Sequence, residues 1–196
     1  MRNTFTLFLL LVCGSRLFAG NVEGTITTDA ADLKETAKQV AVWIEGIEGF
    51  QMPETNPVLS QQGIQFSPRM LMVTAGQTVD MPNDDDVAHN VFSLSKAKKF
   101  KLGIYPKGQS RSVTFEKPGV IDLFCSIHRH MHAVVVVTPS PHSAVSSVGS
   151  AFSIKDVPPG SYTLHYWNAK LGKHTQPLET TDDVTNVTIK LPADGK

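Results

Sequence analysis

The chain has 196 residues with 18 basic and 18 acidic side chains, a formal charge of zero with histidine neutral. That balance excludes the basic footprint of a nucleic-acid binder and the acidic excess of a disordered solvating tail. Its length suits one small β domain with a smaller companion, and a hydrophobic content of 41% with 12 prolines and 14 glycines suits a compact, turn-rich chain.

Residues 1–20 place Arg2 before an apolar run over 5–12 and end on the small residues Ala19 and Gly20, the order of a secretory leader. Cys13 offers a lipid-anchor alternative, although Val12 precedes it where a small residue is wanted. Loss of the leader would remove Cys13 and leave Cys125 as the sole cysteine, with two more acidic than basic side chains in the remainder. A lone thiol in an oxidising compartment is a liability unless something occupies it. The expected location is the periplasm or the exterior. No window after residue 20 is apolar enough to span a bilayer, so the processed protein is not expected to be transmembrane.

From there the pattern is short apolar runs between turn residues with little helical periodicity, which predicts an all-β sandwich or barrel. Strands are predicted over 22–27, 40–45, 64–66, 70–74, 78–81, 91–93, 112–115, 119–124 and 133–137. Ala75-Gly76, Pro106-Lys107-Gly108 and Lys117-Pro118-Gly119 mark turns between them. Only 30–39 has the Ala, Leu, Lys and Glu content of a helical turn, with Asp29 or Asp32 as its cap. Residues 138–150, rich in Ser, Pro and Gly, read as a linker or long surface loop. A last block predicts strands over 152–157, 161–167 and 186–191, with a turn at Pro158-Pro159-Gly160.

The densest chemistry is FCSIHRHM, residues 124–131, which gathers a thiolate, two imidazoles and a thioether. Such soft and borderline donors suit copper. Two residues separate Cys125 from His128 and two more separate His128 from Met131, so one loop can turn all three toward one ion. A fourth ligand has to come from elsewhere, and His89 in NDDDVAHNVFS stands at the start of a predicted strand that could lie opposite the loop. A Cys-x₄-His pairing through His130 is an alternative. His130 and His132 otherwise read as solvated loop imidazoles, an accessory metal site or an axial ligand.

Asp84, Asp85 and Asp86 lack the spacing of a calcium loop and read as a solvated turn. Lys96, Lys98, Lys99 and Lys101 form either a solvated face or a surface that steers an acidic redox partner. Trp43 and Trp167 read as core, and His142, His165 and His174 carry no assigned role. Without a phosphate-binding glycine loop, paired carboxylates or a nucleophile motif, the chain is not expected to be an enzyme.

The runs VTAGQTVDMPNDDDVAHNVFS and FEKPGVIDLFCSIHRHM, within roughly residues 57–138, resemble small blue copper proteins of the plastocyanin, pseudoazurin and amicyanin group. The Cys-x-x-His-x-x-Met spacing is most similar to amicyanin, which has the shortest ligand loop. The resemblance implies a cupredoxin Greek-key β-sandwich over 50–140 holding one mononuclear type 1 copper. Its ligands would be His89, buried, Cys125, the covalent route to the metal, His128, more exposed, and Met131, the weak axial one. Asn90 stands where the family has an Asn that ties the ligand loops together, whereas Arg129 stands where a proline is common. The implied function is single-electron transfer with a redox protein partner. The alternatives are a copper carrier or storage protein and, should Met131 not bind, an oxidoreductase with substrate-accessible copper.

FSIKDVPPGSYTLHYW resembles the β-sandwich regulatory domains that follow carboxypeptidases, and residues 21–46 resemble the opening half of the same sandwich. About three strands in the tail are too few to bury both faces of a small sheet. We therefore expect a small accessory β-sandwich built from 21–48 and 145–196, with the copper domain inserted. The alternative is an extended cupredoxin whose tail is a loosely attached flap.

Overall fold

The computed structural model describes residues 19–30, 33 and 37–193, so the leader and the helical turn expected over 30–39 fall largely outside the described residues. Among the described residues every regular element is a strand, and no helix is long and apolar enough to cross a membrane. The chain begins with β1 (Gly20–Thr28), β2 (Gln39–Glu45), β3 (Ser60–Gln61), β4 (Phe66–Ser67), β5 (Met70–Thr74) and β6 (Thr78–Pro82). It continues through β7 (His89–Ser93), β8 (Phe100–Tyr105), β9 (Ser110–Thr114), β10 (Gly119–Phe124) and β11 (His132–Thr138). It ends with β12 (Ser143–Ser147), β13 (Ala151–Val157), β14 (Gly160–Asn168), β15 (Gly172–Thr180) and β16 (Thr185–Leu191).

A five-stranded sheet, β5-β11-β10-β7-β8, faces the ribbons β6-β9 and β3-β4 across a core that includes Leu59, Val79, Val91, Leu123 and Val135. A three-stranded sheet, β13-β1-β16, faces a four-stranded one, β12-β2-β14-β15, across a second core with Val22, Val42, Ile154, Leu164 and Ile189. Among the described residues β1 and β2 pair only with strands from the tail, β1 with β13 and β16, β2 with β12 and β14. The close parallel pairing of β1 with β16 requires Gly24, because a Cβ there would lie 2.5 Å from the Val187 carbonyl oxygen.

Two strands are apolar on both faces, as strands covered on both sides must be. In β2, Val40, Val42 and Ile44 enter the second core while Ala41 and Trp43 point the other way. In β11, Ala133, Val135 and Val137 enter the first core while Val134 and Val136 point outward. Ala41, Trp43, Met70, Val134 and Val136 meet in a third cluster that packs the β2 sheet against the back of the β11 sheet.

β3, β8, β12 and β15 lie where no strand was predicted, and β12 occupies the segment read as a linker. Three of them explain themselves by position: β8, β12 and β15 are sheet edges, where pairing on one side and solvent on the other remove the need for apolar alternation. β15 even carries Pro177, which an edge tolerates. Of the strand expected over 64–66 only Phe66 is extended, in β4 with Ser67, because Ile64 adopts a left-handed backbone with φ of 55°.

Trp43 is nearly buried, with His165 stacked on it at 5.1 Å between ring centroids and Lys173 Nζ over its ring at 5.2 Å from the centroid. Trp43→Ala should cost about 3–5 kcal/mol in urea unfolding; an unchanged midpoint would show that the third cluster contributes nothing. His165 Nε2 meets a Glu45 carboxylate oxygen at 2.5 Å. Burial pushes the His165 pKa below its ordinary 6.5, Lys173 adds to this, and Glu45 opposes it. Neutral His165 is therefore the folded-state form. Its contribution is complete above the unfolded value and is lost as pH falls from there through the lower folded value. Thermal unfolding between about pH 7 and about pH 5 should show the midpoint falling with pH, less steeply in His165→Gln.

Candidate metal centre

The antiparallel pairing of β10 with β11 ends at Phe124↔His132, which makes residues 125–131 the loop that closes this hairpin. Cys125, His128 and Met131 all lie in that loop, and the Met131 N–H donates to the His128 carbonyl at 3.0 Å to form a tight turn. β7 borders β10 through Phe92↔Phe124, so His89 and Asn90 at its start face the loop. One donor atom each from His89, Cys125 and His128 lies within 4.8 Å of the others. His89 Nδ1 is 3.0 Å from His128 Nδ1 and 4.0 Å from Cys125 Sγ. His89, Cys125 and Met131 are buried and His128 is half-buried, so the cluster meets solvent through one imidazole.

Hydrogen bonds settle how these rings face. The His89 Nε2–H donates to Asp85 Oδ2 at 2.7 Å, since a carboxylate can only accept, and this leaves the Nδ1 lone pair turned toward His128 and Cys125. Burial pushes the Asp85 carboxyl up, but hydrogen bonds from the Ile64 N–H, His89 and the Gly63 N–H outweigh it and hold its pKa below the ordinary carboxylate value. On the other side Asn90 Oδ1 accepts from the Ser126 N–H at 2.9 Å, the Ser126 hydroxyl at 3.1 Å and the Cys125 thiol at 3.4 Å. Two imidazole nitrogens and a thiol converge, and the buried Met131 belongs to the same core cluster as Cys125. That donor chemistry fits copper: borderline nitrogen for Cu(II), soft sulfur for Cu(I).

The remaining histidines of the segment bond elsewhere, although the His130 ring still meets the His128 ring edge-on at 6.4 Å between centroids. His130 Nε2 contacts the Ile64 carbonyl at 3.1 Å, and His132 pairs with Asp122 at 2.8 Å and stacks on Phe124. Phe92 and Phe124 touch each other at 5.9 Å between centroids, while the wall around Cys125 comes from the first core. Asp84 and Asp86 are exposed, as in a solvated turn, and pair at the surface with Ser60 and Lys107, whereas Asp85 turns inward and holds His89. Asp85 is the site residue that sequence reasoning missed. Its four-residue spacing from His89 was the available signal. Lys98 pairs with Glu116, and Lys96, Lys99 and Lys101 are exposed.

The sequence profile of the copper binding proteins of the plastocyanin/azurin family matches residues 54–138. No curated protein sequence matches the chain. Among solved structures, amicyanin from Paracoccus versutus (Thiobacillus versutus) is 26% identical with a TM-score of 0.41, over 44% of this chain and 85% of that one. A purple cupredoxin from Nitrosopumilus maritimus is 26% identical with a TM-score of 0.39, over 42% of this chain and 100% of that one. A Cu(I) methionine-to-alanine variant of amicyanin is 24% identical with a TM-score of 0.41, over 50% of this chain and 98% of that one. Over residues 54–138 the chain thus matches the copper binding proteins of the plastocyanin/azurin family, the cupredoxins, and copper is the metal that this match names.

Asn90→Ala would leave the buried end of the ligand loop without its acceptor. Metal-free protein carrying it should lose about 1–3 kcal/mol in urea, and Asn90→Asp, which keeps an acceptor, should lose less. Equal stability of Asn90→Ala and the wild type would mean that the loop is fixed by other contacts.

Proposed function

We propose that the protein carries single electrons, with His89, Cys125 and His128 as equatorial copper ligands and Met131 as a weak axial one. The observation that carries this reading is the set of three donor atoms gathered within 4.8 Å of one another, with one imidazole half-buried and a buried methionine in the same loop. Bound in such a set, copper is served in both its Cu(I) and Cu(II) states, so little has to move when an electron arrives. The chain's own part is to hold Nδ1 of His89 toward the site, exclude water from Cys125 and leave His128 as the door. Ile64, Val87, Ile104 and Ile127, all exposed, belong to segments that carry or flank the donors and offer an apolar surface for a redox partner. No substrate-binding role is assigned, and the reading is of a carrier rather than an enzyme.

We also read residues 21–48 and 145–196 as one accessory sandwich into which the copper domain is inserted. The exclusive pairing of β1 and β2 with tail strands supports this, as does the closeness of the two connections, where the Ser140 hydroxyl donates to the Ile44 carbonyl at 3.2 Å. Insertions are tolerated where their ends lie together. Residues 1–20 remain the proposed export leader, with the periplasm or the exterior as destination and a lipid anchor at Cys13 as the lesser option.

Protein loaded with Cu(II) should show an intense visible thiolate-to-copper absorption and reversible one-electron reduction. Cys125→Ser should abolish the colour with the far-ultraviolet dichroism intact, and Met131→Leu should keep the colour and shift the potential. A colourless complex in the wild type would remove the electron-transfer reading. A coloured protein with slow electron self-exchange would favour a copper carrier instead.

A further inference from the structure

We propose that Asp85, the backbone of Gly63 and Ile64, and His130 form a brace that ties the ligand loop to the His89 strand from outside the site and slows the escape of copper. The inference rests on the ligand set proposed above. Asp85 Oδ1 accepts from the Gly63 N–H at 2.5 Å, and its Oδ2 accepts from the Ile64 N–H at 2.8 Å and from His89 Nε2 at 2.7 Å. His130 Nε2, on the opposite side, donates to the Ile64 carbonyl at 3.1 Å. One peptide segment is thus held by a residue bonded to His89 and by a residue lying between His128 and Met131.

The conformation of Ile64 points the same way. A β-branched side chain at φ of 55° is disfavoured by its own Cβ, and its side chain is 36% exposed, so burial does not offset that cost. The hydrogen bonds from both sides do. The loop has a need for such a tie, because residues 125–131 contain no proline to stiffen them and Asn90 fixes only the Cys125 end. His130 anchors the stretch next to His128, the one half-exposed donor.

His130 and Asp85 are therefore positioning residues acting through Ile64, and two measurements test this. In metal-free protein, amide exchange at Ile64 should quicken in both Asp85→Asn and His130→Ala. In protein loaded with Cu(I), release to bathocuproine disulfonate should quicken about fivefold in His130→Ala, the change expected for one lost hydrogen bond. His130→Gln, whose amide can still donate, should recover most of the retention. Because both residues act through one segment, the double variant should release copper no faster than the faster single one. Thermal midpoints of the metal-free variants within about a few degrees of wild type separate this from general unfolding. Wild-type release rates in His130→Ala, or effects that multiply in the double variant, overturn the brace while leaving the ligand set standing. A wild type that binds no copper overturns the ligand set, and the brace with it.

Discussion

The pairing of β10 with β11 is the constraint from which the site follows. Ladder hydrogen bonds run from Gly119↔Val137 to Phe124↔His132, and the chain between the last pair has seven residues in which to turn. A loop that short cannot send Cys125, His128 and Met131 to different places; it brings them to one end of the sheet. Side-chain alternation then decides which face they use. Ile121 and Leu123 point into the core, so Cys125, next in that register, points there too, and the intervening Phe124 goes to the outer face with His132.

The ladder itself depends on β11 being covered on both sides. Five consecutive valine or alanine positions would be an aggregation hazard on a half-exposed sheet. Here the second face meets Trp43 and Ala41 of β2. β2 has the same two-faced character and links that contact to the second core, so the sheets around the second core and the β11 sheet share a packed boundary. The back of the β10–β11 hairpin is thereby stiffened at the side opposite its ligand loop.

Polar groups near the donors are handled by pairing. A fully buried imidazole and a buried Asn are expensive unless each finds partners. His89 finds Asp85, and Asn90 finds Ser126 and Cys125. These pairs orient the donors before any metal arrives. Asp85 in turn draws two backbone N–H groups of the 63–64 segment onto itself, which is why a residue from the acidic run lies within the site's architecture and the flanking Asp84 and Asp86 remain at its edge.

The amino-acid sequence by itself determined the strand-rich class and most central strands, and it pointed to the candidate donors of the 125–131 loop, because these readings rest on local spacing. Apolar runs mark covered strands, and Cys125, His128 and Met131 are close neighbours in one loop. Edge strands such as β8, β12 and β15 were not legible, since their hydrogen bonds are made by backbone and their side chains carry no pattern. The contact of His89 with the loop, 36 residues away, was inferred from a resemblance and needed the β7–β10 pairing to acquire distances. Asp85, His130 and Ile64 gained their places only in three dimensions. Asp, His and Ile in surface turns look alike in any sequence until a carboxylate, an imidazole and a peptide from three separate segments are brought within hydrogen-bonding distance.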